Sequence, residues 1–371
     1  MRKIVALFLS TAVFLASFFG LQRLLEPKYM TKSIEGALTR EYYADAHVNS
    51  LLIIGDCEVY ENISPVTLWE DYGIPAYIRG SAQQLLWQSY AMLEDALRYE
   101  TPKAVLLSVL CMIYGEPQKE TYNRMTIDGM RLSRTKIDAA RVSMLPEEEF
   151  LSYLFPLLRF HSRWSELGRE DLQYFFSRRQ ISINGFVMRC DSKAAGWTPE
   201  PPMLPNYAFG GLAWEYLDKI RGLCEASGIQ LLLFKAPSLT PHWYAQWDQQ
   251  IVDYAQEHGL QYLNALDTLD EIGLDFEVDT YDAGLHLNRQ GAEKMARYLG
   301  GWLRESCPAL VDQRGDAALA AAWEVKIWQY RTMRAAQERE ITEYRAMQEA
   351  LGLEIVESEA VKTFFVPERA S

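Results

Sequence analysis

The chain predicts a three-layer α/β/α body on a parallel sheet of about five strands, flavodoxin-like in arrangement. Three observations predict it. Short apolar runs without polar alternation recur, as in Leu51-Leu52-Ile53-Ile54, Ala104 to Leu110 and Ile229 to Phe234, and such runs mark strands buried on both faces. Amphipathic helical stretches separate them, a rhythm that implies parallel strands joined by right-handed crossovers. Gly or Pro punctuates the joins, at Gly55, Gly80, Pro102, Gly228 and Gly259.

The elements follow in order. Leu51 to Gly55 is the first strand. Ser64-Pro65 opens a helix, with Ser64 as N-cap and Pro65 at the first helical position. Gly73 to Gly80 holds a second, short strand. Gln83 to Tyr99 is a helix with Leu86, Tyr90, Leu93 and Leu97 on one face, and Ala104 to Leu110 is the third strand. Leu212 to Ala226 is helical, Ile229 to Phe234 the fourth strand, Gln249 to His258 helical and Gln261 to Asn264 the fifth strand. Gln290 to Leu303 closes this body, which spans 48–310.

Residues 115–207 show no clear strand-helix alternation and read as a cap or binding segment inserted between the third and fourth strands. Pro-rich Trp197 to Pro205 ends it as an extended linker. Beyond 310, Trp323, Ile327, Tyr330, Ile341, Tyr344 and Leu351 repeat at helical spacing. That region, 311–371, is a long amphipathic helix with a tail, which docks on the body or pairs with another helix.

At the other end, Ile4 to Leu21 carries no charge and follows Arg2-Lys3. As a helix it measures about 27 Å, close to the ~30 Å of a bilayer core. Residues 1–25 therefore read as an uncleaved signal anchor with the body outside the cytoplasm, and 26–47 as a juxtamembrane tether. A cleaved signal peptide, leaving a secreted protein, is the competing reading, with Leu15-Ala16-Ser17 a weak cleavage site. The formal net charge of −13 argues against a nucleic-acid partner. Five scattered cysteines without a Cys-x-x-Cys pair fit neither a disulfide framework nor a metal site, and nothing points to a cofactor.

The chemistry centres on Cys57, just past the C-terminal end of the first strand, where open α/β sheets place their ligands. Asp282 and His286 lie in a loop before the last helix, whose N-cap is Asn288. An imidazole can deprotonate a thiol, and a carboxylate on its other nitrogen fixes the tautomer. The amides of Cys57 and Gly80 would form an oxyanion hole, each donor being worth roughly 3–4 kcal/mol. Asp56 and Glu58 flank the thiol and disfavour its ionisation. The plain alternative is that Cys57 is a small apolar residue closing a strand.

Gly55-Asp56-Cys57, Gly80 and Asp282…His286 resemble the GDSL/SGNH hydrolase superfamily across about residues 48–305, and more closely its membrane-anchored bacterial branch. That branch accompanies membrane-bound O-acyltransferases in teichoic acid D-alanylation and exopolysaccharide O-acetylation. The resemblance implies acyl transfer or ester hydrolysis on a cell-envelope polymer by a Cys57-His286-Asp282 triad. It also implies a membrane-bound O-acyltransferase partner. A non-catalytic module presenting polymer to such a transferase is the alternative. The chain departs from the family in three places. The usual Ser is Cys57, three residues rather than two separate Asp282 from His286, and no Asn follows the third strand, where Cys111-Met112 stands.

Within the insertion, His161, Arg163 and Trp164 combine a base, a cation and an aromatic ring suited to an anionic sugar polymer. Asn123-Arg124 carries a weaker form of the same signal, and Asp56 is a further substrate-contact candidate. For each, a packed or solvated structural role is the simpler reading.

Overall fold

Five parallel strands form one sheet: β1 (Leu51–Gly55), β2 (Ala76–Gly80), β3 (Ala104–Ser108), β4 (Gln230–Lys235) and β5 (Gln261–Asn264), in the order β2-β1-β3-β4-β5. This computed structural model describes residues 1–26, 36–176, 180–196, 200–356 and 360–367. Most of the tether (27–35) and the start of the Pro-rich linker (197–199) lie outside the described residues.

Successive side chains of β1 enter different cores. Leu51 and Ile53 join the cluster under the helices Pro65–Tyr72 and Arg289–Ser306. Leu52 and Ile54 join the one under Leu86–Ala96, Gly211–Ala226 and Ala245–His258. Burial on both faces is why the strands read as unbroken apolar runs, and the result is the expected α/β/α sandwich. Register sets Ile53 beside both Ile78 and Leu106, and Gly55 beside Gly80. The chain leaves β1 toward β2 on one side and returns to β3 on the other, so the sheet switches direction at the tip of β1. Cys57 stands two residues beyond that tip. Ser64 caps the helix at Pro65 by accepting from the Thr67 amide, as its sequence predicts.

The insertion is helical at Glu120–Ile127, Arg134–Ser143, Phe150–Leu154, Pro156–Phe160 and Arg169–Phe176. Its return path does more than cap. The Ile78 amide of β2 donates to the Asn184 carbonyl (2.9 Å), and Asn184 Nδ2 donates to the Ala76 carbonyl (2.8 Å). Ile181, Ile183, Phe186 and Met188 are buried in the first core. This segment thus covers the edge of β2, which would otherwise expose unpaired backbone.

The C-terminal helix, Ala317–Ala350, docks on the body. Trp323 stacks on Trp69 with ring centroids 5.1 Å apart and planes at 9°. Buried Gln337 accepts from the Cys190 amide (3.0 Å) and donates to the Met188 and Thr363 carbonyls. Trp323→Ala would remove a fully buried ring and is expected to cost about 3–5 kcal/mol, read as a lower thermal midpoint. An unchanged midpoint would mean the helix does not pack here in solution.

Candidate active site

Gly55 closes β1 at a point where no side chain fits: a Cβ would sit 2.4 Å from the Ser108 Cβ of β3. Asp56 then caps the short helix Cys57–Asn62, its Oδ1 accepting from the Glu58 amide at 3.0 Å. Cys57, the first helical residue, keeps a partly exposed side chain. Gly80 faces this turn from β2. A Cβ there would lie 3.1 Å from the Asp56 carbonyl oxygen and from Val59 and Tyr60, so glycine lets the two strand ends close up.

The loop Asp279–Asn288 carries the histidine. Ala283 and Gly284 both adopt left-handed backbone (φ 64° and 93°), which folds Asp282 back on His286. Asp282 Oδ1 accepts from the His286 amide (2.7 Å) and Oδ2 lies 2.6 Å from Nδ1. The extra residue in the Asp…His spacing is thus absorbed by a tight turn. Thr280 Oγ1 donates to the His286 carbonyl and accepts from the Gly284 amide. Asn62 Oδ1 accepts from the Leu287 amide (2.8 Å), tying the loop to the helix that begins with Cys57. Asn288 caps the last helix as its sequence predicts.

Cys57 and His286 therefore meet above the same strand tips. Each shifts the other's proton affinity through a side-chain interaction. Buried Nε2 makes no hydrogen bond. Nδ1 is committed to carboxylates, so Nε2 is the nitrogen left for the thiol.

Glu61, absent from the sequence-based set, is a second carboxylate on the same imidazole nitrogen. Its Oε2 lies 3.0 Å from Nδ1, and its Oε1 accepts from the Tyr281 hydroxyl (2.8 Å). Tyr281 stacks on His286, and the Arg189 guanidinium, paired with Asp191, sits 4.3 Å from the Tyr281 ring centre. The Cys57–Glu61 spacing of four on one helix was the available signal. The pairing of Glu58 with Lys235 was also missed. Lys235 Nζ, at the end of β4, donates to Glu58 Oε1 at 2.7 Å, and both side chains are buried.

Burial opposes charge on His286, but the Glu61 carboxylate, Asp282 and the nearby Cys57 side chain outweigh it, so its pKa lies far above the ordinary imidazole value. The two carboxylates thus favour the imidazolium form of His286. Burial pushes the Cys57 thiol up to about 11, with Asp56 and Glu61 adding to the rise and His286 opposing it. The resting site thus pairs an imidazolium with a neutral thiol.

Asp56 is raised to about 7 by burial and then by the charge of Glu58; Glu41 is raised to about 7 chiefly by burial. Both bind their protons more tightly folded than unfolded. Their stabilising contribution is full below about pH 4 and is lost as pH rises through about 7. The thermal midpoint should fall between pH 5.5 and 8. Asp56→Asn, which keeps the cap acceptor, should leave only the share due to Glu41. A midpoint flat over that range in the native chain would refute the assignment.

The other candidates stand elsewhere. Asn123 is buried, accepting from Gln88 and donating to the Ser143 and Gln118 carbonyls. Arg124 is buried on the Tyr153 ring and bonded to Glu120, Asp128 and Ser152. Neither presents a polar group to a substrate. Arg163 Nη1 donates to the Leu25 carbonyl (2.7 Å) at the end of the N-terminal helix, while His161 and Trp164 beside it are exposed. After β3, Cys111 is buried with its Sγ donating to the Ser108 carbonyl, so no side-chain amide stands at that block. Among the described residues no His, Cys, Asp or Glu cluster suited to a metal is present.

No protein-family model matches the chain, and no curated protein does. Solved structures similar to it include two bacterial proteins. One, from Bacteroides fragilis, is assigned as an acylhydrolase, with 10% identity and a TM-score of 0.37, covering 72% of this chain and 95% of its own. The other, from Desulfitobacterium hafniense, is assigned to the G-D-S-L lipolytic family, with 12% identity and a TM-score of 0.34, covering 68% and 99%. Both scores are low, and the chemistry is read from the side chains themselves.

Proposed function

We propose that the chain is a divergent, membrane-anchored protein of GDSL/SGNH type that transfers or hydrolyses acyl groups on a cell-envelope polymer, outside the cytoplasm. What supports this reading is the placement of Cys57, at the switch point of the sheet, within reach of an imidazole held by Asp282. The N-terminal helix, long and apolar enough to cross a membrane, supports the anchor. The polymer and a membrane-bound O-acyltransferase partner rest on the sequence resemblance.

In this reading the Cys57 thiol first releases its proton to solvent, since His286 already holds one, and the thiolate attacks the acyl carbonyl, forming a carbon–sulfur bond. The oxyanion forms near the Cys57 and Gly80 amides, and the leaving oxygen departs with the proton of His286 Nε2. The now neutral imidazole takes a proton from an incoming hydroxyl, of water or polymer. That oxygen attacks the thioester carbonyl, the carbon–sulfur bond breaks, and the freed thiolate regains its proton from solvent. Asp282 holds the ring throughout.

The test is intact mass of the full-length protein in detergent after incubation with a short-chain p-nitrophenyl ester. One acyl group should be gained by the native chain and by neither Cys57→Ala nor His286→Ala. The thiol's rise to about 11 favours a second reading, a binding module that presents polymer to a transferase. No adduct on the native chain, with Cys57→Ser equally inert, would support it instead.

A further inference from the structure

The N-terminal helix, Arg2–Leu25, ends against the insertion. The Phe18 and Phe155 rings lie 5.8 Å apart. Arg23 Nε donates to the Phe175 carbonyl (2.6 Å), and Arg163 Nη1 donates to the Leu25 carbonyl. These contacts run from Phe18, inside the apolar stretch that ends at Leu21, to Leu25 beyond it. At 1.5 Å per residue that is a band of about 10 Å along the helix axis, centred where hydrocarbon would give way to headgroups.

The insertion segment in that band, Phe150–Phe176, is unusually apolar on its outside. Leu151, Leu158, Trp164, Leu172 and Phe176 are exposed, Trp164 at 73% and Phe176 at 82%. Single exposed apolar residues are ordinary, but several large ones on one short segment mark an interaction surface. A Trp beside Leu and Phe at the end of a membrane helix is the composition of an interfacial belt. The adjoining cleft, about 510 Å³, grades in the same direction. Phe19 and Leu132 line it together with Arg23, Arg40, Arg131 and Lys136, against the two carboxylates Glu26 and Asp128. In a chain of net charge −13 this local excess of cations matches anionic headgroups.

We propose that Phe150–Phe176 is a membrane-interface collar. It seats its exposed Leu, Trp and Phe side chains among the lipids around the anchor and fixes the body against the bilayer surface. The proposal rests on the reading that Arg2–Leu25 spans the membrane, and its test separates the two.

Full-length chain would be reconstituted into vesicles of phosphatidylglycerol and phosphatidylcholine. A nitroxide would be placed in turn by Trp164→Cys, Leu172→Cys, Phe176→Cys, Val13→Cys in the anchor and Glu257→Cys on an exposed helix of the body. Each variant is measured against the parent chain labelled in the same way. Collision rates with oxygen report lipid, and those with a water-soluble nickel complex report solvent. Sites 164, 172 and 176 should show severalfold lower nickel collision than 257, with higher oxygen collision. Nickel collision equal to that at 257 overturns the collar. So does low collision with both reagents, which would mean that protein covers the face. With 13 in lipid, either result leaves the anchor standing; 13 in water removes the anchor and the collar together.

Discussion

Lys235→Met is expected to cost about 3–5 kcal/mol, the magnitude seen when one partner of a buried ion pair is removed. Lys235 is fully buried at the end of β4, bonded to Glu58 Oε1 and to the Ala236 carbonyl, and its charge lies 5.8 Å from the Trp243 ring centre. Glu58 is equally buried, and its other oxygen has no partner. Without the ammonium, Glu58 would be left charged in a place that water does not reach. Asp56 would lose a cation that holds its own pKa down. In a chain of this size the thermal midpoint should fall by about 5 °C or more. The defect should shrink toward pH 5, where Asp56 takes up its proton. Lys235→Met with Glu58→Gln should recover most of the loss, since no buried charge then lacks a partner. A full-sized defect in the double variant would show that the lysine matters for its shape and not its charge.

That pair also shows where the sequence stops speaking. The strands were legible because two-sided burial writes itself as apolar runs, and the helix caps because Ser64 and Asn288 act locally. The nearness of Cys57 to Asp282 and His286, though not their roles, was legible because a residue just after β1 and a histidine before the last helix must share one sheet edge in any fold of this topology. Lys235 reads in the sequence as a polar stop to a strand. Its partner is 177 residues away, and nothing local says that the tip of β4 points at the helix after β1. Arg189 and Asp191 were hidden for the same reason: the long insertion gave no sign that its return path runs along β2 and reaches Tyr281. Asn123 and Arg124 erred in the other direction, because polar residues inside an insertion look available until their burial is known.

Alkylation of Cys57 by iodoacetate or iodoacetamide should rise about tenfold per pH unit from neutrality toward pH 10, with no plateau near pH 7, because the thiolate is the reacting species. A thiol at about 11 is ionised to roughly one part in 10⁴ at pH 7. Burial raises it, Asp56 and Glu61 raise it further, and only His286 opposes. Two variants should therefore move the rate in opposite directions. His286→Ala removes the stabilising cation and should slow alkylation about tenfold or more at fixed pH, a tenfold change being one unit of thiol pKa. Asp56→Asn keeps the helix cap and removes a nearby negative charge, and should speed it severalfold. Peptide mapping isolates the reaction at Cys57 from that at the other free cysteines. A rate that levels off near neutral pH would mean a thiolate–imidazolium pair already formed, and burial would not be the controlling influence. Insensitivity to His286→Ala would separate sulfur from imidazole altogether. Acyl transfer through the same sulfur must follow the same ionisation, so kcat/KM should climb toward alkaline pH in parallel with alkylation. An acyl adduct whose formation ignores that profile would come from another nucleophile.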